Sequence, residues 1–175
     1  MSGLRWFAAI ILAAFICGAG AAEAASVQIS INKISQKMTV TVDGVEKYVW
    51  LVSTGASGYS TPSGSYTPFR MESDHYSKEW DDAPMPHSIF FTPIGHAIHG
   101  SPYVKRLGTR VSHGCVRLAP DNASTLYGMV EKAGLRNTTV VVKSGGFFDS
   151  DEPDTTPSRW TRKAGPVRDF WDLFR

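Results

Sequence analysis

At 175 residues, 42% hydrophobic and 19% charged, the chain has room for one packed domain, or one domain and a tail, with enough apolar material for a core. A formal net charge of +2 is too small to point to nucleic acid. No repeat period is visible, which argues against a repeat architecture.

Residues 1–25 read as a secretory signal. Arg5 supplies the basic start, and Trp6 to Ile16 is an apolar run short of the ~20 residues that a bilayer crossing needs. Ala22-Glu23-Ala24 offers small residues at a cleavage site, so the mature chain is expected to begin at Ala25 or Ser26. Cys17 before Gly18 invites a lipoprotein reading, which the bulky Ile16 disfavours. An uncleaved anchor is the other alternative, and the alanine-rich exit disfavours that. After cleavage no stable membrane span is expected.

From Val27 the apolar period becomes two. Val27, Ile29 and Ile31 alternate with polar residues, and so do Met38, Val40 and Val42, as half-buried strands do. Asp43-Gly44 is a hairpin signal, and Val45 to Val52 is the return strand. Ser53 to Gly64 reads as a loop. Ser65 to Met71 and Ser88 to Thr92 are two further strands. The aromatic and charged insertion between them, Glu72 to Pro86, is long enough to cover something.

His96 to Leu118 is the most informative stretch: His-Ala-Ile-His-Gly-Ser-Pro, a basic connection, then Ser-His-Gly-Cys-Val-Arg-Leu. The chain has two cysteines, and Cys17 falls in the segment expected to be cleaved. Cys115 would then stand alone in an oxidising compartment, either buried and inert or reactive and used. His113 and Gly114 beside it favour reactivity. A thiol of ordinary pKa near ~8.5 is mostly protonated at neutral pH, and an adjacent imidazole raises the thiolate fraction. Cys115 as nucleophile, a histidine to take its proton, and backbone N–H groups facing a developing oxyanion make a minimal acyl-transfer site.

After Leu118 the period becomes helical. Pro120 suits a first turn, Ala123, Leu126, Met129 and Val130 recur at helical spacing, and Gly134 ends the run. Thr138 to Val142 is a closing strand. Residues 144–175 have linker composition: Gly145-Gly146, an acidic run from Asp149 to Asp154, and a basic run from Arg159 to Lys163. This tail ends in Phe170, Trp171, Leu173 and Phe174. It is expected to fold back on the domain or to dock on a partner or membrane surface.

The His-Gly and Ser-His-Gly-Cys-hydrophobic-Arg elements resemble the signature of the L,D-transpeptidase (YkuD-type) family. Thr61-Pro62-Ser63-Gly64 is similar to that family's Thr-Pro-x-Gly turn, Met85-Pro86 to a pair in its middle strands, and Val52-Ser53-Thr54-Gly55 to the end of its third strand. The resemblance spans Val27 to about Lys143, and places a catalytic domain at 26–143. Period and turns give a mostly-β domain. The resemblance implies a β-sandwich-like fold with one short helix beside an active-site groove.

The resemblance also implies roles. Cys115 is the nucleophile, with a structural thiol as the bland alternative. His99 is the general base and acid, its second nitrogen held by the Gly100 carbonyl. His96 competes, but three residues away on a strand it faces the opposite side. The amides of Gly114 and Cys115 are the expected oxyanion donors, with His113 shaping the loop or assisting them. Ser112 and Arg117 are assigned to substrate binding. For Arg117, holding a substrate carboxylate and bonding loop carbonyls weigh equally. Lys105, Arg106 and Arg110 read as a solvated loop, or as a lid over an anionic substrate.

No metal is assigned, because His96 and His99 lack a third ligand at zinc-site spacing and His75 and His87 are isolated in sequence. No cofactor is required. The implied substrate is a peptidoglycan stem peptide, in a periplasmic setting. The acceptor is an amine of a neighbouring stem, an amine of an outer-membrane protein, or water. The same family resemblance implies sensitivity to carbapenems. A hydrolytic cysteine peptidase or amidase, and a silent wall-binding module, are the competing functions.

Overall fold

The computed structural model describes residues 24–144; the expected signal segment to Glu23 and the tail from Gly145 lie outside the described residues. The alternating stretch at the start forms β1 (Val27–Asn32), β2 (Lys37–Val42) and β3 (Val45–Leu51). Asp43 and Gly44 both take positive φ, 50° and 77°, which is the turn geometry that matches the twist of the flanking strands. The short strands β4 (Gly64–Tyr66) and β5 (Arg70–Glu72) follow, then a small hairpin of β6 (Tyr76–Ser77) and β7 (Ala83–Pro84), β8 (Ser88–Phe90) and β9 (Ala97–Gly100). The chain continues through β10 (Val116–Leu118) and α1 (Pro120–Ala133) to β11 (Thr138–Lys143).

Two sheets result. The five-stranded sheet runs β3-β2-β1-β11-β4 and the four-stranded sheet β10-β9-β8-β5. In the first, β1 pairs antiparallel with β2 and parallel with β11, Ile29 opposite Val140. In the second, β10 runs parallel to β9, Val116 opposite Ile98 and Arg117 opposite His99. One apolar core joins Ile29, Ile31, Met38 and Val40 of the first sheet to Ile89, Ile98, Val116 and Leu118 of the second. The buried face of α1, Ala123, Leu126, Val130 and Ala133, closes that core, packing chiefly on β9 and also on β1 and β8.

The expected single strand from Ser65 to Met71 is corrected. It is two strands in different sheets, β4 beside β11 and β5 beside β8. Pro68, buried between them, has no N–H to give to a ladder and interrupts the pairing. The insertion from Glu72 to Pro86, read only as a cover, carries the β6–β7 hairpin. Among the described residues no helix is long and apolar enough to cross a membrane.

Candidate active site

A groove of about 580 Å³ lies at the edge of the four-stranded sheet, between β9 and β10 on one side and the β6–β7 hairpin on the other. His99, Ser112, His113, Cys115 and Arg117 all line it. In the parallel register of β9 and β10, Cys115 and Arg117 are spaced by two, so their side chains share one face, as do Ala97 and His99 on the neighbouring strand. That places Cys115 and His99 on the same wall. His96 is on the other side. It is buried, bonded through Nδ1 to Thr92 Oγ1 at 2.8 Å, and is not among the groove residues.

His99 is itself buried, at 6% exposure. Its Nδ1 lies 2.8 Å from the Gly100 carbonyl oxygen. A carbonyl can only accept, so Nδ1 carries the proton and Nε2 presents a lone pair. Burial drives the His99 pKa down to about 4, partly opposed by the Gly100 hydrogen bond and reinforced by the charges of Arg117 and His75. The ring is therefore neutral at neutral pH, the form that accepts a proton.

Cys115 is half-buried on the groove wall. Desolvation pushes its thiol up to about 11, against a hydrogen bond from the Ala97 backbone and the charge of Arg117, with Glu79 adding to the rise. The thiol faces the Gly95 carbonyl at 3.7 Å, and no hydrogen bond joins it to His99. The pair is thus thiol and neutral imidazole, with the sulfur turned to the Gly95 carbonyl. Catalytic hydrogen bonds are commonly loose before substrate arrives.

The loop bearing Cys115 is held by a web of hydrogen bonds. Ser53 and Arg117 exchange both backbone bonds, at 3.0 and 2.9 Å, and Ser112 N–H donates to the Thr54 carbonyl at 3.1 Å. Thr61 of the Thr-Pro-Ser-Gly turn donates its hydroxyl to the Gly114 carbonyl at 2.7 Å and accepts from Gly55 N–H at 2.9 Å. Two glycines permit this geometry. Gly114 has φ of 119°, outside the range of ordinary side chains. A Cβ on Gly55 would sit 1.8 Å from the Tyr59 carbonyl oxygen.

Two sequence expectations change at this loop. Ser112 is fully buried, its hydroxyl donating to the Cys115 carbonyl and accepting from the Gly114 amide at 3.2 Å. The hydroxyl thus ties the Cys115 carbonyl and the Gly114 amide together within the loop. The same bond corrects the expectation for Gly114, whose amide is turned to Ser112 in this state and not toward an oxyanion. The Arg117 side chain, half-buried in the groove, makes no hydrogen bond or ion pair among the described residues, so it bonds no loop carbonyl in this structure. Burial lowers its pKa while Cys115 and Tyr103 oppose the fall. Lys105 and Arg106 occupy a short 3-10 turn, Val104–Arg106, with no buried residue. Arg110 reaches back to the Gly55 carbonyl at 3.3 Å. None of these three lines the groove.

Sequence reading missed Trp80. Its indole lies flat on the His113 ring, centroids 3.7 Å apart and planes 5° apart. Tyr59 meets both rings edge-on, at 5.7 Å from Trp80 and 5.0 Å from His113. The β6–β7 hairpin is thereby clasped to the Cys115 loop. His113 is part of that clasp, with its pKa lowered by burial and by the Arg117 charge. The available signal was the cluster of aromatic residues in an insertion facing a histidine-bearing loop, which sequence separation hides.

Solved structures share this architecture. An L,D-transpeptidase from Mycobacterium smegmatis matches at TM-score 0.62 and 27% identity, covering 69% of this chain and 59% of that one. One from Mycobacterium tuberculosis H37Rv matches at 0.62 and 26%, covering 68% and 58%. L,D-transpeptidase 3 from Mycobacterium tuberculosis, in complex with a faropenem-derived adduct, matches at 0.59 and 26%, covering 67% and 60%. The chain thus spans less than two thirds of the length of these relatives. No curated protein gives a match. The model of the L,D-transpeptidase catalytic domain matches residues 26–142, and with this fold around the groove, the chain belongs to the L,D-transpeptidase (YkuD) family.

Proposed function

We propose that the protein is a peptidoglycan L,D-transpeptidase working through a Cys115 thioester. The observation that carries this reading is the His99 tautomer: the Gly100 carbonyl holds Nδ1–H, leaving Nε2 free to act as base on the wall shared with Cys115.

The Sγ proton passes to His99 Nε2 as sulfur attacks the carbonyl carbon of the stem peptide. With the thiol near 11 and the imidazole near 4, the proton strongly prefers sulfur, so thiolate forms together with attack and is not stored beforehand. The Cys115 amide faces the oxygen as it gains charge; losing one such donor typically costs ~10²–10³ in rate. Collapse breaks the C–N bond, and the His99 Nε2 proton goes to the departing amine of D-alanine. A thioester remains on Cys115. An acceptor amine then attacks the thioester, gives its proton to His99, and restores the thiol. Arg117 is the candidate partner for a substrate carboxylate.

In this reading residues 1–25 export the protein to the periplasm, residues 26–143 act there on stem peptides, and an outer-membrane protein is one candidate acceptor. The test is product analysis. Incubation with disaccharide tetrapeptides should release D-alanine and yield cross-linked dimers in the wild type and neither in Cys115→Ala. Release of D-alanine with water as the sole acceptor would replace transpeptidation by hydrolysis.

A further inference from the structure

We infer that Thr61 is a positioning residue for acyl transfer: its hydroxyl holds the peptide between Gly114 and Cys115 so that the Cys115 N–H is offered to the oxyanion formed when Cys115 is acylated. The inference rests on the Cys115 acyl-transfer reading and deepens it.

Three consecutive peptides around Cys115 are each tied by a side-chain hydroxyl. Ser112 takes the first and the third, accepting from the Gly114 amide at 3.2 Å and donating to the Cys115 carbonyl. The middle peptide belongs to Thr61, whose hydroxyl donates to the Gly114 carbonyl at 2.7 Å. Among the described residues no other group donates to that carbonyl, and the Cys115 amide gives no hydrogen bond. The Gly114 carbonyl and the Cys115 N–H belong to one planar trans unit and point in opposite directions. Fixing one therefore fixes the other. Gly114 has no Cβ to limit rotation of this peptide, so the restraint comes from its partner.

Thr61 is fully buried and lies outside the groove lining, whereas Cys115 lines the groove. A carbonyl turned to Thr61 turns the N–H away from the buried side. Thr61 is itself fixed. Its hydroxyl accepts from Gly55 N–H at 2.9 Å, and its carbonyl accepts from Lys33 Nζ at 3.0 Å. Pro62, next in the chain, confines the Thr61 backbone to the extended region. The Lys33 contact carries the restraint back to the turn after β1, in the regular sheet.

The test compares two reactions of Cys115 that differ in whether an oxyanion forms. Acetylation by p-nitrophenyl acetate makes an Sγ–C bond, places negative charge on the ester carbonyl oxygen, and then breaks the bond to p-nitrophenolate, with the thiol proton passing to His99 and on to solvent. Alkylation by iodoacetamide makes an Sγ–C bond, expels iodide and releases the same proton, with no oxyanion. Both rates are read by intact mass at one pH in the wild type, T61V, T61S and S53A, with folding checked by circular dichroism. T61V keeps the shape without the hydroxyl. It should slow acetylation roughly tenfold to a hundredfold, less than the ~10²–10³ of losing a donor outright, and leave alkylation within about twofold of the wild type. T61S restores the hydroxyl and should recover most of the loss. S53A removes another buried hydroxyl of the web, bonded to the Thr109 carbonyl at 2.7 Å, and should shift neither rate against the other. Equal slowing of both reactions in T61V, no slowing of acetylation, no recovery in T61S, or the same selective loss in S53A overturns the inference. If T61V does not fold, T61A is read in its place; if neither folds, Thr61 is a structural residue and the inference falls. A folded wild type that is alkylated but not acetylated also overturns it. If the selective loss is found and the wild type releases no D-alanine from tetrapeptide stems, the transpeptidase reading falls while Thr61 keeps its role.

Discussion

The two sheets of this domain do different work, and they differ in regularity. The β1–β2 ladder and its parallel partner β11 pair over six residues each, with Val27, Ile29 and Ile31 buried in strict alternation. The four-stranded sheet is built from strands of three or four residues, and its edge gives way to loops that carry Cys115 and the β6–β7 hairpin. The regular sheet buries apolar surface. The irregular one aims backbone groups and titratable side chains into a groove. Polar residues are buried here as well as apolar ones: Ser53, Thr54, Thr61, Ser112 and His99. Ser53 bonds the Thr109 carbonyl, Thr54 accepts from the Ser112 amide, Thr61 bonds the Gly114 carbonyl, Ser112 bonds the Cys115 carbonyl and His99 bonds the Gly100 carbonyl.

The contrast between the two sheets breaks most sharply at Cys115. Cys115→Ala should lower turnover by ~10⁴ or more while leaving the fold intact, measured by D-alanine release beside circular dichroism. His99→Ala should lower kcat by ~10²–10⁴, and His96→Ala should cost stability far more than rate, because His96 faces away from the groove. Equal rate losses in the two variants would remove His99 as the base.

The pH dependence sharpens the same point. Above about 4 the His99 ring is neutral, so kcat/KM should hold through the neutral range and fall as pH drops through about 4. Alkylation of Cys115 by iodoacetamide should climb with pH toward about 11 and show no plateau near neutrality. A plateau there would mean a standing thiolate–imidazolium pair. The fold has its own acid limit. His96 and His99 are both held near 4 in the folded chain against an ordinary value of 6.5. The unfolded chain therefore binds more protons between those values, and stability is lost as pH falls from about 6.5.

In the regular sheet a core substitution should act on stability alone. Ile29→Ala should cost about 2–5 kcal/mol in urea unfolding with kcat per folded molecule unchanged. The smallest effect belongs to the clasp. Trp80→Ala should raise KM severalfold with kcat nearly constant, because it frees the hairpin from His113 without touching Cys115 or His99. A fall in kcat as large as that of His99→Ala would make Trp80 part of the reacting centre instead.

What the sequence disclosed follows the same division. Period-two alternation, Asp43-Gly44 and the Pro120 start located β1 to β3 and α1, because these signals are local. His99 and His96 could be told apart by strand parity alone. The split of Ser65–Met71 was missed although Pro68 marks it, since a break in pairing does not say that the two halves join different sheets. The committed hydroxyl of Ser112, the Thr61 bond to Gly114 and the Trp80–His113 stack depend on contacts between segments far apart in the chain, which no local pattern encodes.

The most direct measurement is the intact mass of the protein after brief exposure to a tetrapeptide stem, for the wild type, Cys115→Ala and His99→Ala. A covalent adduct equal to the stem less its terminal D-alanine, on the wild type only, is the result this account predicts. The same adduct on Cys115→Ala, or none on a folded wild type whose thiol is reduced, would contradict it.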